Sequence, residues 1–240
     1  MKNIAIFGST GSIGTSTLNV VRENKELFNI ATLVAGKNID KLIKQIDEFA
    51  PKNVYIIDKE NANILKEKYP NLNIYYGEEG LEDISNLVDF DISISALVGI
   101  AGLKPTYNMI KNGKTVALAN KEVLVTGGKL IMQTAKKSGA KLLTVDSEHS
   151  AIMQCLNGEE ENPIEKILLT ASGGPFFDRN ITDDITVEEA LNHPTWNMGK
   201  KVTIDSSTMM NKGFEVIEAK WLFDVEPNQI EVVVHRKSLV

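Results

Sequence analysis

The sequence predicts an α/β protein, a doubly wound parallel sheet followed by an α+β connective domain. Three observations predict it. Short apolar runs rich in branched residues recur from Asn3 to about Val145, longer stretches of helical period separate them, and a glycine-rich turn follows the first run directly. With 240 residues, the chain is long enough to bury the core of one large or two modest domains without disulfides.

The expected strands of the first part are Ile4-Phe7, Ile30-Val34, Val54-Ile57, Asn73-Tyr76, Asp91-Ser95, Thr115-Ala119 and Lys141-Val145. Leu42, Ile43, Ile46 and Phe49 share one helical face, as do Leu130, Ile131, Thr134 and Ala135, so both segments are expected as helices covering the sheet. The rhythm changes near Asp146, which places a domain boundary between residues 1–145 and 146–240. In the second domain we expect a helix Glu148-Leu156, an acidic solvated turn Asn157-Asn162 and a strand Ile164-Ala171. A long irregular stretch then reaches Gly199, relieved by a short turn Val187-Leu191. A strand Val202-Asp205, a helix from Thr208 to Phe223 and a strand Gln229-His235 complete the expected order.

Composition narrows the function classes. A formal net charge of -6 argues against a duplex nucleic-acid binder, which carries a basic face, but leaves room for lysines converging on a small anion. The single cysteine, Cys155, has no intramolecular partner and stands in the apolar run Ala151-Leu156, where a buried structural thiol is expected. No leader pattern precedes the glycine-rich turn and no apolar segment reaches transmembrane length, so the expected setting is cytoplasmic, away from the membrane.

Gly8-Ser9-Thr10-Gly11-Ser12-Ile13-Gly14 stands between the first strand and the first helix, where a dinucleotide pyrophosphate rests on backbone N–H groups and the positive helix end. That placement makes the first domain Rossmann-like. Its spacing, Gly-x-x-Gly-x-x-Gly, is a variant of the usual fingerprint, and a tight strand-to-helix connection is the alternative, but the β-α-β context favours the dinucleotide site. After the second strand comes Gly36-Lys37-Asn38, with no carboxylate to repel a 2′-phosphate and a lysine able to pair with one, which points to NADP rather than NAD, with Lys37 as a solvated helix-start lysine the alternative.

Asp146-Ser147-Glu148 lies at the C-terminal end of a strand, the edge at which open α/β sheets bind ligands. With Glu215 these carboxylates form an oxygen set suited to Mg²⁺ or Mn²⁺, although Asp146 as a helix cap and Glu148 as a first-turn acid is the alternative. Ser172-Gly173-Gly174, Ser206, Asn211 and Lys212 offer donors for a phosphate, or are ordinary turns. The stretch from Pro175 to Lys201, holding His193, Trp196 and Met198, has the length and irregularity of a lid, the alternative being a core-packed Trp196 and a structural His193.

Taken together, the glycine-rich turn, Ala119-Asn120-Lys121-Glu122, Asp146-Ser147-Glu148, Ala171-Ser172-Gly173-Gly174-Pro175-Phe176, His193-Pro194-Thr195-Trp196 and Asp205-Ser206-Ser207-Thr208-Met209-Met210-Asn211-Lys212-Gly213 resemble the 1-deoxy-D-xylulose 5-phosphate reductoisomerase family, in its order and over essentially the whole chain. The resemblance implies an enzyme, an NADP-dependent oxidoreductase. It assigns Thr10, Gly11, Ser12, Ile13, Gly36, Lys37, Asn38, Asn120, Glu122 and Gly199 to NADPH. It assigns Asp146, Glu148 and Glu215 to Mg²⁺, Mn²⁺ or a similar ion such as Co²⁺. Lys121, Ser147, Glu148, Ser172, His193, Ser206, Asn211, Lys212 and Glu215 would contact the sugar phosphate, with Trp196 and Met198 on the closing lid, and Lys121, His193 and the three carboxylates would carry the chemistry. The implied reaction is isomerisation of the ketose phosphate followed by hydride transfer, within non-mevalonate isoprenoid synthesis, in a homodimer. Other readings are a different NADP-dependent dehydrogenase and an NADPH-binding fragment without turnover. Two departures stand out: the family continues into a linker and a C-terminal helical domain, and His235 is followed by Arg236-Lys237 where Pro-Gln is expected.

Overall fold

Each short apolar run of the first part forms a strand in the computed structural model, which describes residues 1–159 and 161–239. These are β1 (Lys2–Phe7), β2 (Phe28–Ala35), β3 (Asn53–Ile56), β4 (Asn73–Tyr75), β5 (Ile92–Ser95), β6 (Thr115–Leu118) and β7 (Leu142–Thr144). Helices α1 (Ser12–Glu23), α2 (Ile39–Phe49), α3 (Lys59–Lys68), α4 (Gly77–Ser85), α5 (Leu103–Lys111) and α6 (Glu122–Ser138) alternate with them. All pairings are parallel, in the order β4-β3-β2-β1-β5-β6-β7. The chain therefore runs outward from β1 to β4 and returns to β5 on the other side of β1. The crevice where strand order reverses opens at the carboxyl ends of β1 and β5, the position at which doubly wound sheets bind nucleotides.

The chain divides into two compact units, Met1–Asp146 and Ser147–Val240. In the first unit Ile6, Leu33, Val54 and Ile56 are fully buried between strands and helices, and α2 adds Leu42 and Ile46 from one face. Complete burial of such side chains contributes roughly 1.5–3 kcal/mol each. The buried face of α6 is Leu124, Gly128, Ile131 and Ala135, at steps of four, three and four. Leu130, expected on that face, is 52% exposed, because one residue of rotation carries it about 100° from Ile131.

The second unit holds α7 (Ser147–Cys155), β8 (Ile167–Ala171), α8 (Val187–Leu191), α9 (Lys200–Ser207), α10 (Met210–Phe223) and β9 (Ile230–Val234). Strands β8 and β9 pair in parallel, and Ile167, Leu169 and Val225 pack there with Ile152, Val216 and Phe223. The expected strand Val202-Asp205 is instead helical, within α9. The branched run Val202-Thr203-Ile204 suggested a strand, but Thr203 and Ser207 form the buried helical face, and the i,i+4 ion pair Lys201–Asp205, at 2.7 Å, supports the turn. Cys155 is exposed rather than buried, because α7 buries only His149 and leaves the rest of its apolar run in partial or full contact with solvent. Of the expected acidic turn, Glu160 lies outside the described residues.

Candidate active site

Parallel pairing brings the strand ends that bear the first unit's predicted residues to one edge of the sheet. Thr10, Gly11, Ser12 and Ile13 follow β1, Gly36 to Asn38 follow β2, Asn120 to Glu122 follow β6, and Asp146 follows β7. Gly8 turns the chain out of β1 with φ +101°, and a Cβ there would lie 2.5 Å from the Ala96 carbonyl oxygen just beyond β5. Gly8 and Ser9 both donate N–H to Val34 O, at 2.8 and 2.9 Å, and Gly11 N–H returns to Gly8 O at 3.0 Å. Gly14 packs α1 against this turn so closely that a Cβ would overlap Gly8 O and lie 2.6 Å from Ser9 Cα. The first N–H groups of α1, on Ser12, Ile13 and Gly14, have no acceptor within the helix and are the natural anion donors.

Beyond β2, Asn38 caps α2 by accepting from Lys41 N–H at 3.0 Å, with Gly36 and Lys37 exposed beside it. Asn120 is buried at the end of β6. Its amide donates to Leu97 O and, at 2.8 Å, to Gly99 O, and its Oδ1 accepts from Val123 N–H at 3.3 Å. The asparagine predicted to contact the cofactor thus shapes the loop after β5. Lys121 is also buried, with Nζ 2.8 Å from Asp146 Oδ2.

In the second unit, Met209, with a left-handed φ of +64°, caps α10, which presents Lys212, Glu215, Glu218 and Ala219 on its buried face. The Lys212 ammonium donates to Glu148 Oε1 of α7 at 2.8 Å, to Thr170 O of β8 at 2.6 Å and to Glu215 Oε2, using all three of its protons. Ser147 Oγ donates to Glu148 Oε2 at 2.7 Å, and Asn211 Nδ2 donates to Glu215 Oε1 at 2.5 Å. Burial alone would raise the Glu148 pKa, but the Lys212 charge and the hydrogen bonds from Lys212 and Ser147 hold it below the ordinary value. Two carboxylates on one buried ammonium make a hard-oxygen donor set fit for a divalent ion.

Ser172, Gly173 and Gly174 turn out of β8, with φ +76° at Gly173. Gly174 lies against α9, where a Cβ would overlap Ser206 O and stand 2.9 Å from Ser207 Cα, so two of the predicted phosphate segments meet. Arg236 Nη1 donates to Ser172 O and Gly174 O, both at 3.2 Å, while its Nε lies 3.2 Å from Asp178 Oδ2. In the stretch before α9, His193 Nδ1 accepts N–H from Thr195 at 3.1 Å and from Trp196 at 3.0 Å, which puts the proton of the neutral ring on Nε2. The Trp196 side chain is 53% exposed, and Met198 is half-buried ahead of Gly199, the cap of α9.

Sequence reasoning missed His149 and Glu218. His149 is fully buried, its Nε2 2.9 Å from Glu215 O and its Nδ1 3.8 Å from Glu218 Oε2. The available signal was the spacing 212, 215, 218, three ionisable residues on the buried face of one helix.

Fold and site define a Rossmann-like α/β unit followed by an α+β unit that gathers carboxylates, lysine and serine-glycine turns. The family model for 1-deoxy-D-xylulose 5-phosphate reductoisomerase matches residues 4–128, and that for the C-terminal domain of the same enzyme matches residues 142–223. The chain belongs to the 1-deoxy-D-xylulose 5-phosphate reductoisomerase family. It is 53% identical over its whole length to the reductoisomerase of Thermoanaerobacter pseudethanolicus and 50% identical to that of Listeria monocytogenes, spanning 63% and 64% of their lengths. A crystal structure of such a reductoisomerase in complex with NADPH, fosmidomycin and magnesium matches 99% of this chain and 62% of its own, with TM-score 0.92 and 42% identity. The Zymomonas mobilis enzyme in complex with NADPH matches all of this chain, with TM-score 0.90 and 37% identity.

Proposed function

We propose that this chain carries the cofactor, metal and substrate sites of an NADPH- and divalent-metal-dependent 1-deoxy-D-xylulose 5-phosphate reductoisomerase, which forms 2-C-methyl-D-erythritol 4-phosphate on the non-mevalonate route to isoprenoids. The likeness to the complex with NADPH, fosmidomycin and magnesium over 99% of the chain carries this reading. NADPH lies on the turn from Thr10 to Ile13 and at Gly36, Lys37 and Asn38, with Asn120, Glu122 and Gly199 completing its site. Asp146, Glu148 and Glu215 hold Mg²⁺, Mn²⁺ or Co²⁺. When bound, the ion supplies Lewis acidity and a template for the substrate's carbonyl and hydroxyl oxygens. Ser172, Ser206, Asn211 and Lys212 bind the phosphate, whose remote binding energy orients the reacting carbons. Lys121 and Ser147 contact the sugar, and His193, Trp196 and Met198 close over it and exclude water. The enzyme acts in the cytoplasm as a homodimer, a setting consistent with one unpaired cysteine.

NADPH oxidation with 1-deoxy-D-xylulose 5-phosphate, run with and without Mg²⁺ or Mn²⁺ on folded protein, tests the reading. Metal-dependent oxidation supports it, whereas metal-independent turnover of a simple aldehyde would replace it with another NADP-dependent dehydrogenase. Folded protein that binds NADPH yet shows no metal-dependent oxidation would leave the second reading, NADPH binding without turnover.

A further inference from the structure

Two side chains of α2 reach the carbonyl edge of the glycine-rich turn. Lys41 Nζ donates to Thr10 O at 2.8 Å and to Thr15 Oγ1 at 2.7 Å, and Gln45 Nε2 donates to Ser9 O at 2.9 Å. They stand four residues apart, one helical turn, and so share a face. Lys41 is half-buried, and among the described residues no carboxylate pairs with it. Two of its three ammonium protons are placed by these bonds, which leaves one for a ligand. Gln45 and Ser9 are buried, and Gln45 Oε1 and Ser9 Oγ have no hydrogen-bond partner among the described residues, so the polar complement of the turn is incomplete.

This arrangement serves an anion. A turn that cradles phosphate must direct its N–H groups to the ligand and keep its carbonyl oxygens away, since each carbonyl is a negative end. Donors from α2 occupy the carbonyls of Ser9 and Thr10, and the uncompensated ammonium adds positive charge to the same turn. Asn38, which caps α2, stands one turn ahead of Lys41, so a single helix fixes both the end of β2 and the glycine-rich turn.

We propose that Lys41 and Gln45 are positioning residues of the dinucleotide site, clamping the carbonyl edge of the Ser9-Thr10 turn so that it accepts the pyrophosphate shared by NADPH and NADH. The inference rests on the cofactor reading above. It predicts that Lys41 acts on the diphosphate rather than on the 2′-phosphate alone.

The test is titration of nicotinamide fluorescence with NADPH and with NADH, at low and moderate salt, on the unaltered chain and on Lys41→Met, Lys41→Arg and Gln45→Met. Lys41→Met should weaken both nucleotides by a similar factor of about tenfold and flatten the salt dependence. Lys41→Arg should recover most of the loss, a rescue that general damage to the fold would not show. Gln45→Met should weaken both nucleotides by a smaller, equal factor. Because Gln45 is buried, circular dichroism melts accompany each titration, and Lys41→Met alone decides the matter if Gln45→Met does not fold. Unchanged binding by Lys41→Met, or a loss confined to NADPH, would overturn the clamp while leaving the cofactor reading intact. Failure of the unaltered, folded chain to bind either nucleotide would overturn the cofactor reading and the clamp with it.

Discussion

The Lys212 ammonium lies 2.8 Å from Glu148 Oε1, and it is the one cation that α10 places between Glu148 and Glu215. Its side chain is almost wholly buried, so it is not an ornamental surface pair. Removing one member of a buried pair strands the other charge at a cost of roughly 3–5 kcal/mol. Lys212→Met should therefore lower thermal stability in the presence of EDTA and raise the Glu148 pKa. Added Mn²⁺ should shrink the deficit, because a divalent ion replaces the lost positive charge. Parallel melts of parent and variant in EDTA and in Mn²⁺ check this, and an equal deficit in both conditions would remove the carboxylates from the metal site.

Asp146 and Lys121 make the corresponding pair in the first unit, at 2.8 Å. Asp146→Asn keeps the shape of the side chain and removes its charge, and divalent affinity follows the number of charged oxygen ligands. We expect Mn²⁺ binding, followed by electron paramagnetic resonance of the free ion, to weaken by about tenfold or more. Unaltered affinity would show that Asp146 serves only as the partner of Lys121.

Glycine at 174 is required by contact rather than by its φ angle. An added Cβ would meet the backbone of Ser206 and Ser207, which cannot swing aside as a flexible side chain would. Gly174→Ala should cost about 1–3 kcal/mol through overpacking, and should weaken the binding of inorganic phosphate if this turn and α9 form the phosphate site. Gly213→Ala is the matched control. That position is exposed in α10 with nothing within 4 Å of an added Cβ, so the substitution should stabilise by up to about 1 kcal/mol.

These expectations trace back unevenly to the sequence. The parallel sheet was legible because a buried strand reads as an unbroken apolar run, and Ile4-Phe7 or Val54-Ile57 has no other economical use. The glycine-rich turn was legible from position, since Gly8 and Gly14 both sit where a Cβ would strike backbone. Helix α9 was not, because Val202-Thr203-Ile204 has strand propensity and its helical state depends on burial of Thr203 and Ser207. Arg236 was visible only as a departure from the family's pattern. Its hold on Ser172 O and Gly174 O joins residues more than sixty positions apart, and no local rule reports such a contact.

Arg236 also bears on the protonation of His193. Burial lowers the His193 pKa first, the Arg236 charge lowers it further, and a hydrogen bond with the Gly173 backbone works in the opposite direction. A histidine whose folded pKa is depressed contributes stability that is fully present above its unfolded value, near 6.5, and is lost as pH falls through the folded value. At neutral pH the ring is thus held neutral, with Nδ1 accepting from Thr195 and Trp196. Arg236→Gln should raise the His193 pKa part of the way back, since burial persists, and should narrow the acidic window in which stability declines. Arg236→Lys should leave it nearly unchanged, because the charge stays. The chain has three histidines, so ring C–H resonances can be followed individually through a pH titration. Identical His193 titration in the parent and in Arg236→Gln would show that burial acts alone and that Arg236 only braces the Ser172–Gly174 turn.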